Sequence, residues 1–508
     1  MTTVLLTGNS LTIEQLLAIA DGHVPVAVAD DAARRVTAAR GVVDRKADGN
    51  AAVYGINTGF GALAETAIPR EALEELQLNL LRSHAAGVGD PLPVRAVRAS
   101  MALRANVLAK GFSGIRLSTL EHLLALLNRR VHPVVPSRGS VGASGDLAPL
   151  AHLGLVLVGE GTSTVGDDPA VVSGRAALAR AGLSPITLGA KEGLALINGT
   201  QPSTAVAALA LAGAERLARA ADIAAALSID GLRGSVRPFD ERVHGARPYQ
   251  GQFASASNIR RLLEGSAINA SHAHCGRVQD AYSLRCAAQV HGAAREAFRF
   301  VRETLQIEAN AATDNPMVFA DEDEIVSGGN FHGAPIAVAA DVLAIGLAQL
   351  ATISERRSDR LVNPALSDLP AFLTPNSGLH SGYMMAQVTA AALTSEIKTL
   401  AHPASVDTIP TSANREDHVS MSMAASLKAA RALQLATPVL AIEILFACQA
   451  FDLLAPLQSS ELLCAVHAHV RARVPALTID RPPAPDIDAI TGMIDDGSLE
   501  AVCRGEVK

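Results

Sequence analysis

The chain has 508 residues, and 43 Lys and Arg against 50 Asp and Glu leave a net charge of −7. Hydrophobic residues make up 49% and aromatic ones only 3%, which excludes global disorder and points to a core of Ala, Leu and Val in closely packed helices. The acidic balance and the lack of a basic run exclude a nucleic-acid binder, because neutralising phosphates takes an excess of Lys and Arg.

The amino terminus, Met1 to Thr7, has no basic region before its short apolar run. No secretory signal is expected there, and the reading is of a cytoplasmic protein. Thr12 with Gln15 and Ser118 with Glu121 have capping-box spacing, so helices are predicted to start at both places. Val97, Met101 and Leu108 recur at helical period, predicting a helix over 94–110 with Gly111 as its C-terminal cap.

Beyond about residue 205 the stretches 205–227, 335–357, 383–399, 418–435 and 459–473 are rich in Ala and Leu at helical period, with short Pro and Gly punctuation between them. A helical bundle is predicted, with Pro438 in the first turn of a helix. Charges such as Glu215, Asp341 and Glu443 interrupt every long apolar stretch, so no membrane span is expected. Strand signals are sparse, no internal repeat is present, and the proline-rich 481–485 reads as a linker to a small terminal helix. The fold class is therefore mainly α, divided into an amino-terminal domain over 1–205 and a helical domain over 206–508.

The five cysteines, at 275, 286, 448, 464 and 503, form no C-x-x-C pair and are odd in number, which suits reduced thiols. His272, His274 and Cys275 are close in sequence, but residues two apart on a helix face different ways and no second ligand cluster exists, so no metal is expected.

Two glycine-rich stretches break the helical pattern. Tyr54-Gly55-Ile56-Asn57-Thr58-Gly59-Phe60-Gly61 places one of four tyrosines in a loop. Gly139-Ser140-Val141-Gly142-Ala143-Ser144-Gly145-Asp146 lacks the Gly-Lys-Ser/Thr of a phosphate loop, and Asp146 would repel an anion. Its Ala-Ser-Gly step is chemically unusual: a residue without a side chain lets the Gly145 nitrogen approach the Ala143 carbonyl, and the serine between them can lose water to leave an electrophilic methylidene carbon.

That tripeptide, within GSVGASGDLAPLAHLGLVLVGEG, resembles the signature of ammonia-lyases that build a 4-methylidene-imidazol-5-one (MIO) group from their own chain. The resemblance continues through YGINTGFG at 54–61, NLLRSHAAGVG at 79–89, EGLALINGTQ at 192–201, VQDAYSLRC at 278–286, SGGNFHG at 327–333 and AHPASVDTIPTSANREDHVSM at 401–421, and so covers most of the chain. It implies an electrophile formed autocatalytically from Ala143, Ser144 and Gly145, with no external cofactor. It implies Tyr54 as the base that removes the substrate's β-proton, a role that needs a nearby positive potential to lower a phenol's pKa. Arg285 resembles the carboxylate clamp, and Asn198 and Gln279 the amides lining the electrophile and substrate, with Tyr282 and Phe331 beside them. The architecture implied is that of the helical lyases, an MIO-bearing domain followed by an elongated bundle, assembled as a homotetramer with shared sites. The fumarase and aspartase class of helical lyases is set aside because the sequence has no Gly-Ser-Ser loop.

His84 and Glu416 bear on the substrate. Ser83-His84 resembles the histidine-specific members of the family, and a carboxylate at 416 suits an imidazole that donates an N–H to it. The expected reaction is loss of ammonia from L-histidine to give trans-urocanate. A tyrosine or phenylalanine lyase, a 2,3-aminomutase and a non-catalytic helical scaffold stay open. Arg415, Gly333, His380 and Tyr383 depart from the histidine pattern, and Arg415 in particular stands where it can pair with Glu416.

Overall fold

The computed structural model describes residues 3–22, 24–49, 51–273 and 275–508; Met1, Thr2 and His274, used in the sequence reading, lie outside them. The chain is mainly helical. Its backbone divides into two compact units, the first made of Met1–Leu209, Arg302–Ala340 and Pro403–Leu427, the second of Ala210–Val301, Asp341–His402 and Lys428–Lys508. A single division near residue 205 meets the first of these changes, while 302–340 and 403–427 return to the first unit.

The first unit holds small sheets among its helices. Val4–Leu6 pairs in parallel with Val26–Val28, and Val131–Pro133, Thr162–Val165 and Asp168–Ser173 form an antiparallel sheet. The helix Ile13–Gly22 starts with the capping box the sequence indicates, Gln15 N donating to Thr12 Oγ1 at 3.1 Å and Thr12 N to Gln15 Oε1 at 3.0 Å. The helix Leu117–Asn128 does not use Ser118: it begins one residue earlier and has no side-chain cap of its own. Its first turn is met by the buried Glu192, which accepts from Arg116 N at 3.0 Å and Thr119 Oγ1 at 2.7 Å. Val94–Ala109 is helical, and Gly111 ends it in a left-handed conformation, φ +85°.

The second unit consists of helices joined by loops, with no β-strand among its described residues. The bundle stretches of the sequence correspond to Gln201–Gly231, Ala334–Val362, Met384–Leu400, Ser422–Leu454 and Glu461–Arg471. A further helix, Ala287–Glu308, is amphipathic, with charged residues such as Arg295, Glu296, Arg299 and Arg302 beside its apolar stripe, and so falls outside the Ala- and Leu-rich stretches. Pro438 does not start a helix. It lies inside Ser422–Leu454, where Ala436, Val439 and Leu440 are fully buried and packing outweighs the one backbone bond that proline removes.

Ala334–Val362 and Ser422–Leu454 are long and apolar enough to cross a membrane by length and composition, but 72% and 78% of their apolar windows are buried within the protein. The charges that interrupt them are used internally. Glu443 pairs with Arg357, both fully buried, and also accepts from Ser228 Oγ at 2.6 Å. Beside them Asp222 accepts from His291 Nδ1 and Arg295 Nη2, each at 2.7 Å. Burial opposes charge on Asp222, yet Arg295 and His291 bring its carboxyl down to about 2.

A candidate active site at the Ala-Ser-Gly loop

The loop 139–146 precedes the helix Leu147–Leu157 and is fastened on two sides within the first unit. On one side Asp146 N donates to Gly199 O at 2.7 Å, and the Asp146 carboxylate accepts from Ser203 N at 2.8 Å and Ser140 Oγ at 2.6 Å. On the other, Ser420 Oγ donates to Gly142 O at 2.8 Å and Met421 N to Val141 O at 2.8 Å. Asp146 therefore anchors the loop to the start of Gln201–Gly231. Burial pushes its carboxyl above the ordinary range.

Gly145 has φ +73°, and a Cβ there would lie 2.3 Å from the Gly199 carbonyl oxygen. No side chain fits without moving the backbone. Gly145→Ala is expected to cost about 2–4 kcal/mol of stability, read by thermal unfolding, and to leave the loop's chemistry incomplete, read by the mass of the 139–146 peptide. An unshifted melting temperature would contradict this packing.

Two of the sequence-derived positions, Glu416 and Asn198, contact Ser144 directly. Ser144 Oγ donates to Glu416 Oε1 at 2.8 Å, and Asn198 Nδ2 donates to Ser144 O at 3.0 Å. Asn198 is 4% exposed, and its Oδ1 has no hydrogen-bond partner among the described residues, leaving an acceptor open beside the loop. Glu416 is presented by a tight turn in which Ser412, Ala413 and Asn414 all have positive φ, closed by Thr411 N donating to Glu416 O at 2.9 Å. Thr411 Oγ1 donates to Glu416 Oε2 at 2.5 Å, so both carboxylate oxygens are engaged.

The half-buried Tyr54 lies edge-on to Phe60, ring centroids 6.4 Å apart. Burial raises its phenol above the ordinary value, the Gly61 N–H opposes this, and the Glu416 charge adds to it. Of these groups only the Gly61 N–H favours the phenolate, and burial outweighs it. His84, at the end of the helix Leu73–His84, holds its Nδ1 2.9 Å from Leu80 O. A carbonyl only accepts, so Nδ1 carries the proton and Nε2 is the free acceptor. Burial lowers the His84 pKa, against the Leu80 bond and Glu416, which keeps the imidazole neutral at neutral pH.

Phe331 is half-buried and stands two residues before Gly333, whose N–H donates to Gly142 O at 3.3 Å. Its neighbour His332 stacks on His418 with centroids 5.8 Å apart. Gln279, Tyr282 and Arg285 belong to the second unit. There Tyr282 is 71% exposed and Arg285 lies over its ring, 4.6 Å from the centroid. Two of the departures noted in the sequence have partners of their own away from Glu416. Arg415 turns to Glu65 at 3.8 Å, and Tyr383, 1% exposed, packs on Phe446 in the second unit at 5.1 Å.

A mainly helical chain that holds an Ala-Ser-Gly loop between a carboxylate and a carboxamide has the features of a lyase that reacts through its own backbone. A family model described as aromatic amino acid lyase matches residues 11–472. A histidine ammonia-lyase from Anaeromyxobacter sp. (strain K) is 57% identical over 507 residues, spanning 98% of this chain and 100% of that one. Among solved structures, histidine ammonia-lyase from Trypanosoma cruzi superposes with TM-score 0.93 at 46% identity, covering 100% of this chain and 96% of the other. Tyrosine aminomutase from Streptomyces globisporus gives TM-score 0.94 at 37% identity, covering 100% and 99%. The chain belongs to the aromatic amino acid lyase family and is a carbon–nitrogen lyase.

Proposed function

We propose that this protein is a cytoplasmic ammonia-lyase that converts L-histidine to trans-urocanate and ammonia. The observation that carries the reading is the position of Glu416, whose carboxylate touches Ser144 Oγ and acts electrostatically on both Tyr54 and His84. One carboxylate thus connects the loop, the base and the side-chain subsite, and the names of the relatives at 57% and 46% identity support histidine as substrate.

The loop residues fit an MIO group. Gly145 is held left-handed with no room for a side chain, and the Ser144 carbonyl oxygen, which becomes the ring oxygen, already receives the Asn198 amide. Closure joins the Gly145 nitrogen to the Ala143 carbonyl carbon, whose oxygen leaves as water with the protons of the Gly145 and Ser144 nitrogens. A second water takes the Ser144 hydroxyl and its α-proton. Once formed, the group supplies an electrophilic carbon that makes the substrate amine a better leaving group.

In this reading Tyr54 Oη takes the β-proton. His84 Nε2 and Glu416 hold the imidazole from two sides, each accepting an N–H of the protonated substrate ring. Gln279, Tyr282 and Arg285 bind the rest of the substrate, Arg285 gripping its carboxylate with paired hydrogen bonds, and Phe331 lines the ring. The exposure of Val278 and Tyr282, 95% and 71%, supports a homotetramer in which this segment completes the site of another subunit. Light scattering on the eluted protein should report a tetramer, and an active, monodisperse monomer would defeat shared sites.

The deciding experiment is ammonia release from L-histidine with L-tyrosine in parallel. Release from histidine is expected; release from tyrosine alone would overturn the substrate while keeping the chemistry. The pH dependence tests Tyr54. Its pKa is raised, and a base works deprotonated, so kcat/KM should climb through the alkaline range by about tenfold per pH unit below that pKa. Tyr54→Phe should lose this limb together with most of the rate. A flat profile across the same range would remove Tyr54 from the base's role.

A further inference from the structure

Beneath Asn198 lies a buried group of charges that the reaction as described does not use. Arg104, on the helix Val94–Ala109, is completely buried, as are Lys191 and Asp314. Both cations lie 3.7 Å from the single Asp314 carboxylate, and Lys191 Nζ also donates to Ser113 O at 3.0 Å.

The guanidinium sits at the joint between two helices. Its Nη2 donates to Ala195 O at 2.5 Å in the helix Glu192–Ile197, and its Nη1 donates to Asn198 O at 2.8 Å and Gln201 Oε1 at 2.9 Å, where Gln201–Gly231 begins. Carbonyls at a helix end lack intrahelical donors, and a cation there satisfies them and the helix dipole together. Nη1 also closes on the Gly199 backbone, 2.4 Å from where a Cβ would stand. The opposite side of the same two residues meets the loop: Asn198 Nδ2 donates to Ser144 O, and Gly199 O receives Asp146 N. The segment between guanidinium and loop is two residues thick.

We propose that Arg104 is a positioning residue of the reaction, its guanidinium fork fixing Asn198 and Gly199 so that the Asn198 amide stays on the Ser144 carbonyl oxygen. This rests on the reading of Ser144 as the source of the electrophile. A lysine at 104 keeps the charge that Asp314 needs but presents one compact ammonium in place of a planar fork, and it cannot reach Ala195 O, Asn198 O and Gln201 Oε1 in the same geometry. The amide then loses its fixed direction while the fold stays paired.

The test is Arg104→Lys in the full-length protein, read by peptide mass over 139–146, by kcat and KM for L-histidine, and by thermal unfolding. Expected are a folded protein, a smaller fraction of chains with the mass deficit of two waters, and kcat per modified chain lowered by about 10²-fold with KM within about threefold of the parent. A general loss of structure would instead lower activity in proportion to folded protein. Full modification and parental kcat in Arg104→Lys would overturn the proposal. If that variant does not fold, Gln201→Met removes a single partner of the fork and should lower kcat by about 3–10-fold with KM held; an unchanged kcat there would also overturn it. A parent protein without the two-water deficit would sink the electrophile reading itself, which separates the two failures.

Discussion

Ser144→Ala should lower ammonia release from L-histidine by about 10³-fold or more while the protein still folds. Before ring closure the serine contributes one side-chain bond, to Glu416 at 2.8 Å, worth about 1 kcal/mol in stability, and closure removes that hydroxyl from the parent as well. Glu416 keeps its Thr411 partner in the variant, so no buried charge is stranded. The backbone that shapes the loop, Asp146 N to Gly199 O and Met421 N to Val141 O, does not involve the side chain. The expected pattern is therefore an unfolding transition close to the parent's, no two-water mass deficit over 139–146, and activity near the assay blank. Retained activity would refute a Ser144-derived electrophile, and loss of folding would mean the loop is held by more than these bonds.

Glu416→Gln should reduce histidine turnover by about 10²-fold and leave whatever slow turnover of tyrosine or phenylalanine exists nearly unaffected. An amide is neutral and cannot support positive charge on the substrate imidazole as a carboxylate does. The same change removes a charge that raises the Tyr54 pKa, so the alkaline limb of the pH profile should move toward lower pH. It also removes a charge that opposes the lowering at His84, so His84 should lose its proton at still lower pH. Steady-state kinetics across pH with each amino acid check all of these together. An unchanged histidine rate would place the imidazole's partner elsewhere, and equal loss on every substrate would assign Glu416 to the loop alone.

Part of the proposed site drew a reading residue by residue. Ala143, Ser144 and Gly145 stood out because glycine and serine at that spacing permit a reaction that packing does not need, and the structure adds the reason Gly145 admits no side chain. Tyr54, His84 and Glu416 are far apart in sequence, and only the fold makes one carboxylate act on the other two. The direction of the Tyr54 shift was not legible, because it depends on burial and on a charge more than three hundred positions away in the chain.

Arg104 and Asp146 carried weaker signals. An arginine at helical spacing among alanines reads as a surface residue until its depth is known, and here it is completely buried. Asp146 read as a residue that would repel an anion at the start of its own helix, whereas its carboxylate turns to the start of Gln201–Gly231. Arg415 read as a partner for Glu416 and pairs with Glu65 instead.

The sequence by itself determined the helical class and the long apolar helices, and it marked the Ala-Ser-Gly loop as unusual, because helical period, capping spacing and backbone permissiveness are local properties. It could not determine the helix through Pro438, the cap that Glu192 lends to Leu117–Asn128, or the return of 302–340 and 403–427 to the first unit. Those were decided by tertiary structure, where burial outweighs local preference. The pairing of Ser144 with Glu416, Asn198 and, behind it, Arg104 belongs to the same kind, since electrostatics and hydrogen bonding depend on distance through space rather than along the chain.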